Sequence, residues 1–344
     1  GGAGNDVALE ALGGAGNDTL AGGARNDTLA GGIGNDVFLW DDDEGYDTVT
    51  GGEGTDTLVV SSVGSGLAVL MAGGTPLLTV ASGELVDVVS FDTLEILDLV
   101  GSLGNDLVQI DSNAGLQRVT ASLDDGDDVF EVTSGVALES SVDGGAGNDA
   151  LLGGALADTF DGGAGNDLLQ GRDGDDVLEG GDGVDMLIGG AGSDDVSGGS
   201  GADTIVWTVG EGSDRIDGGA GNDSASLFGS AGNDHVFNIV DSGSGNAQVQ
   251  IGGESLTVTS VENLVVFAGE GNDIVTVGDL SATGVQRFTF FGVGGNDILD
   301  ASASDVHVIA IGSNGSGGAA GDDHLQGGAL NDILQGDGGN DTLI

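Results

Sequence analysis

Residues 144–206 parse without a gap into seven nine-residue segments: GGAGNDALL, GGALADTFD, GGAGNDLLQ, GRDGDDVLE, GGDGVDMLI, GGAGSDDVS and GGSGADTIV. Aspartate holds the sixth place of each (Asp149, Asp158, Asp167, Asp176, Asp185, Asp194 and Asp203). An apolar residue holds the eighth (Leu151, Phe160, Leu169, Leu178, Leu187, Val196 and Ile205). A strict period this short leaves room for one tight turn and one brief strand per segment, and for nothing else. Glycines at places one, two and four permit positive φ and close backbone approach, so places one to six form the turn, with carbonyl oxygens turned inward. Places seven to nine form the strand, and the eighth residue points inward between two outward neighbours.

Two segments then make one coil, and stacked coils bring residues eighteen apart side by side. Asp149, Asp167, Asp185 and Asp203 fall on one edge, and Asp158, Asp176 and Asp194 on the other. The same sixth place is held by Asp6, Asp18, Asp27, Asp36, Asp47 and Asp56, by Asp214, Asp223 and Asp234, and by Asp323, Asp332 and Asp341. Isolated turns add Asp106, Asp128, Asp273 and Asp297. Files of carboxylates repel one another unless something neutralises them. The chain as a whole sets the same problem: 58 acids against five arginines give a net charge of −53. Divalent cations solve both. A donor set of carboxylate and carbonyl oxygens in irregular geometry suits calcium better than magnesium. Arg25, Leu156 and Leu330 replace the fourth-place glycine, which places the sites of those turns in question, and residues 10–12 interrupt the first register. An acidic surface excludes nucleic acid as a partner, and the absence of a long apolar run excludes a membrane-spanning helix. There is no cysteine.

This pattern resembles the nonapeptide of the RTX (repeats-in-toxin) family, over residues 1–59, 144–237 and 318–344. The resemblance implies an all-β fold, a right-handed parallel β-roll or β-helix solenoid. It also implies folding triggered by calcium and export from a bacterium by a type I secretion system to the extracellular space or cell surface.

A second, longer repeat contains the first. GGIGNDVFLW at 31–40 matches GGSGADTIVW at 198–207, and with it Trp40 matches Trp207, Asp47 matches Asp214, Glu95 matches Glu262 and Arg118 matches Arg287. The chain is two tandem copies of a unit of about 170 residues. The arrays are expected at 1–59, 144–237 and 318–344, with β-rich segments at 60–143 and 238–317. Alternating apolar runs in those segments point to strands, with hairpin-like breaks at Gly73-Gly74 and Gly252-Gly253. A widened β-helix continuous with the rolls is expected, with separate β-sandwich inserts as the alternative.

The two tryptophans are either a sugar-stacking platform or core residues covering a register break, and the second is expected. Arg118 and Arg287 are expected to pair with nearby carboxylates, an inter-subunit salt bridge being the alternative. The run Asp41-Asp42-Asp43-Glu44 is expected to be a solvated turn. His235 and His324 stand at place seven of their nonads, an outward position, and with His307 they form no HExxH motif; no GxSxG elbow occurs. No catalytic role is expected. Both ends are ordinary nonads in phase with one another, so the chain is expected to be one segment of a longer linear array. The leading expectation is a calcium-stiffened surface layer, filament or adhesin stalk whose partners are copies of itself, head-to-tail or lateral. The alternatives are the folding cassette of a secreted enzyme or toxin and a calcium-dependent module for a cell-surface polysaccharide.

Overall fold

A nonad strand has a single inward anchor, so a core forms only when such strands stack. The computed structural model describes residues 10–24, 26–41, 46–61, 68–71, 77–82, 85–113, 115–230, 232–313 and 321–344. Among these residues there are many short strands and no helix. The chain divides into two compact units, Gly1–Gly174 and Asp175–Ile344. Each is a parallel β-solenoid with two rows of strands.

In the first unit one row runs Thr19–Ala21, Val37–Asp41, Thr57–Ser61, Ile96–Val100, Arg118–Ser122, Glu139–Asp143 and Thr159–Gly165, every pairing parallel. The other runs Glu10–Ala15, Thr28–Ile33 and Tyr46–Glu53, and resumes with Leu107–Ile110, Val129–Val132, Ala150–Leu152 and Leu168–Asp173. Between these two stretches lie Leu85–Asp92, Leu77–Ser82 and Ala68–Met71, paired antiparallel to one another. The second unit has the same device. Arg215–Asp217 pairs with Glu254–Thr259, which continues antiparallel through Ala247–Ile251 to Val236–Asp241 before parallel stacking resumes at Ile274–Val277. The inserts therefore lie edge to edge within a row and build no separate sandwich. Gly252-Gly253 joins two of the antiparallel strands; Gly73-Gly74 lies outside the described residues.

Coil length is not constant. Neighbouring rungs stand 18 residues apart at Asp149 and Asp167, 22 at Asp106 and Asp128, and 24 at Asp273 and Asp297. The wider coils are loops added to an unchanged strand register. Place-eight residues form the core. Phe130, Leu151, Phe160 and Leu169 are all within 1% of complete burial. Phe130 and Phe160 meet edge to face across the core, with ring centroids 6.1 Å apart. Each such side chain contributes about 1.5–3 kcal/mol. Trp40 and Trp207 are 2% and 3% exposed, so they are core residues and present no face to a sugar.

Candidate metal sites

The aspartates at the sixth place turn inward under the turn that precedes them. A Cβ on Gly144, at place one, would lie 2.6 Å from Asp149 Oδ2 and 2.7 Å from the Gly162 carbonyl. Place one is therefore glycine for want of space, not for its φ. Place four needs glycine on both counts. Gly147 has φ 152°, and a Cβ there would lie 1.4 Å from the Gly126 carbonyl of the preceding coil.

Each aspartate then joins one coil to the previous one. The Asp149 N–H donates to Asp167 Oδ1 at 2.8 Å, and the Asp128 N–H to Asp149 Oδ1 at 2.8 Å. The bond recurs from Asp18 to Asp36, Asp36 to Asp56 and Asp27 to Asp47. In the second unit it recurs from Asp176 to Asp194, Asp194 to Asp214, Asp185 to Asp203 and Asp203 to Asp223. Fifth-place side chains stitch in the opposite direction: the Asn166 N–H donates to Asn148 Oδ1 at 3.0 Å, and the Asn296 N–H to Asn272 Oδ1 at 2.9 Å.

One carboxylate oxygen is thus satisfied and the other is left for something else. Oδ2 of Asp36, Asp56, Asp128, Asp149, Asp194, Asp203, Asp223, Asp273, Asp297 and Asp323 is buried without a hydrogen-bond donor. A buried acceptor in that state is costly. Burial pushes Asp128, Asp194 and Asp297 up to about 7 and Asp167 up to about 6; the N–H bonds oppose this, and repulsion from carboxylates along the file adds to it. Rows of inward, donor-less carboxylate oxygens fit a hard cation. Bound calcium supplies the positive charge that these files lack.

The isolated-turn aspartates are hydrogen-bonded into the files. Asp106 donates to Asp128, Asp273 to Asp297, Asp297 to Asp323 and Asp323 to Asp341, each through its backbone N–H. In three turns the second oxygen is used locally: Asp106 Oδ2 accepts the Ser102 N–H at 2.9 Å although Gly104 keeps the fourth place, and the other two carry leucine there. The N–H of Gly154 donates to Asp158 Oδ2 at 2.9 Å, and that of Gly328 to Asp332 Oδ2 at 2.8 Å. Those second oxygens are taken up locally, so Asp106, Asp158 and Asp332 fit calcium less well than their neighbours. Oδ2 of Asp214 is occupied too, accepting the indole N–H of Trp207. Asp6, Arg25 and the acidic run 42–44 lie outside the described residues.

Asp234 is a correction. It is exposed, and its Oδ1 accepts the Asn272 N–H at 2.7 Å, which is the fifth-place bond. His235 holds the sixth place instead: its N–H donates to Asp273 Oδ1 at 2.7 Å, and the ring is 6% exposed. Its Nδ1 lies 3.2 Å from the same Asp273 oxygen, and its Nε2 lies 2.9 Å from Ser230 Oγ. The cause is one extra residue in the turn. Phe237, completely buried, takes the inward strand position, and Val236 is left 55% exposed. Calcium, which selects oxygen donors, does not fit a rung filled by an imidazole. His324 keeps the outward place.

Two ligand candidates escape the nonad pattern. Glu95 Oε2 accepts the Asp56 N–H at 2.9 Å, and Glu262 Oε2 accepts the Asp223 N–H at 2.8 Å. In each unit the antiparallel insert puts the next coil 39 residues on, and a glutamate takes the aspartate's role. Their correspondence across the longer repeat was the one signal that marked them. The residues that would hold the ions are therefore the sixth-place aspartates with a donor-less oxygen, joined by this glutamate pair.

The profile of the RTX calcium-binding nonapeptide repeat matches residues 12–39, 41–62, 141–160, 152–187, 170–205, 208–237 and 317–344, together just over half of the chain. The chain belongs to the RTX calcium-binding nonapeptide repeat family. Its RTX repeats bind multiple calcium ions, and repeats of this family are typical of extracellular bacterial proteins exported by type I secretion. Among solved structures, that of the extracellular lipase LipA from Serratia marcescens is similar, with 21% identity, a TM-score of 0.22, and coverage of 74% of this chain and 38% of the lipase chain. No curated protein matches the chain.

Proposed function

We propose that this RTX chain is a structural segment, a calcium-stiffened solenoid of an extracellular surface layer, filament or adhesin stalk, that performs no catalysis and has copies of itself as partners. One observation carries this reading. Buried carboxylate oxygens without donors recur in coil after coil of both units, from Asp36 and Asp56 to Asp297 and Asp323. A metal ladder confined to one patch would brace a site, whereas one repeated along both units braces length. Electron microscopy of the native assembly tests it. Filaments or sheets that disperse when calcium is chelated are the expected result. A dispersed, monomeric particle at saturating calcium, or a catalytic domain in the same polypeptide whose folding these repeats serve, overturns the reading.

A further inference from the structure

The two units are alike inside and unlike outside. In the second unit, five in-register strands begin at Thr204, Ser224, Asn263, Arg287 and His307. The first five residues of each read TIVWT, SASLF, NLVVF, RFTFF and HVIAI, with no carboxylate among them. The corresponding strands of the first unit begin at Val37, Thr57, Ile96, Arg118 and Glu139. They read VFLWD, TLVVS, ILDLV, RVTAS and ESSVD, with acids at Asp41, Asp98, Glu139 and Asp143. In a chain with 58 acids in 344 residues, these segments of one face have none and their counterparts have several, although the strand Asn263–Glu270 ends on an acid.

Two features mark the acid-free face. Phe228, Phe267 and Phe291 form an outward, half-buried ladder, with ring centroids 4.7 and 4.8 Å apart and ring planes within 7° of parallel. Phe267 is stacked on both faces and Phe228 and Phe291 on one each, so the ladder presents mainly ring edges. Beside it stands Arg287, exposed, whose Nη1 donates to Asn263 Oδ1 at 3.4 Å. Arg118, Arg172 and Arg215 each pair with a carboxylate, and among the described residues Arg287 does not. His307 lies next to it, where Glu139 lies next to Arg118.

We infer that this face of the second unit docks on the corresponding face of the first unit of another copy. The charges are complementary. Asp98, Val100, Asp143 and Asp161 line a shallow groove on the first unit, and Leu39 and Val100 on that face are 41% and 40% exposed. The cation Arg287 meets acids there, and the phenylalanine ladder meets apolar side chains. Two copies meeting through the acidic face of the first unit on both sides would repel. The two faces differ, so the contact is heterologous and passes from copy to copy, as an open filament or a ring. Strands about 4.8 Å apart make a face about 20 Å wide, so one contact is weak and association rises with concentration.

The inference rests on the self-assembly reading, and the experiment separates the two. Sedimentation velocity of the chain in saturating calcium is followed as protein concentration rises. The variant F228S/F267V/F291S installs the residues that the first unit already carries at Ser61, Val100 and Ser122, and its fold is checked by circular dichroism. Arg287→Glu reverses the charge, and mixing it with Asp98→Arg tests rescue. Association of the wild type, weakened at least tenfold in the triple variant and in Arg287→Glu and regained in the mixture, is expected. If both variants associate as the wild type does, the docking face is wrong and self-assembly through another surface stands. If the wild type stays monomeric throughout, both inferences fall.

Discussion

His235 and the glutamates Glu95 and Glu262 show how much one side chain decides within a periodic ladder. At His235 an imidazole spans Asp273 and Ser230, filling the rung with nitrogen. His235→Asp restores an oxygen donor, and anomalous difference density from crystals grown in calcium should show a new ion beside residue 235. Density already present there in the wild type contradicts the metal-free assignment. Glu262 is the opposite case, a longer carboxylate reaching the Asp223 N–H across the insert. Glu262→Gln keeps the acceptor and loses the charge. It should lower stability in calcium by about 1–2 kcal/mol, the scale of a charge-assisted hydrogen bond, with the calcium at that rung lost. An unchanged calcium dependence of thermal unfolding would remove Glu262 from the ligand set.

At the scale of the turn and its file, glycine and carboxylate act together. Gly147→Ala forces a Cβ into the Gly126 carbonyl at a φ of 152°, and should cost at least about 2–3 kcal/mol. Gly284→Ala, at φ 88° with open space around it, should cost about 1 kcal/mol, for the backbone alone. Chemical denaturation in calcium compares the two, and equal losses would mean that coil stacking does not govern place four. The file also has a pH dependence when calcium is absent. Burial raises Asp128, Asp194 and Asp297 to about 7. A raised carboxylate contributes stability that is fully present below its unfolded value, near 4, and is lost as pH rises through 7. In excess chelator, β-signal in circular dichroism should therefore grow as pH falls from 8 towards 4. Growth in the opposite direction would show that the file does not control folding.

For the whole molecule, the metal and the fold are one equilibrium. Anionic files of this length have no reason to assemble without cations, and binding free energy is folding free energy where no site exists beforehand. Calcium should bind at about 10⁻⁴–10⁻³ M, the range of extracellular modules. Folding should be steep in calcium concentration, because each rung shares its aspartates with the next. Titration followed by circular dichroism at neutral pH checks this. A full β-signal in excess chelator would separate metal from fold.

The amino-acid sequence by itself determined the period, the inward place eight, the turn glycines and the run of sixth-place aspartates, since all of these are local and repeat every nine residues. It also marked Leu156 and Leu330 as departures; Asp158 and Asp332 spend their second oxygen within their own turns, but so does Asp106 beside an intact fourth-place glycine. Tertiary structure decided what depends on distant partners. Whether Asp234 or His235 becomes the rung was settled by Phe237 claiming the core, which no count of GND motifs records. Glu95 and Glu262 became rungs because an antiparallel insert moved the next coil 39 residues along the chain. The acid-free face exists only because residues as far apart as Thr208 and Ile311 are brought into one file. A nine-residue period specifies which side of a strand a residue takes, and only stacking specifies which strand lies beside it.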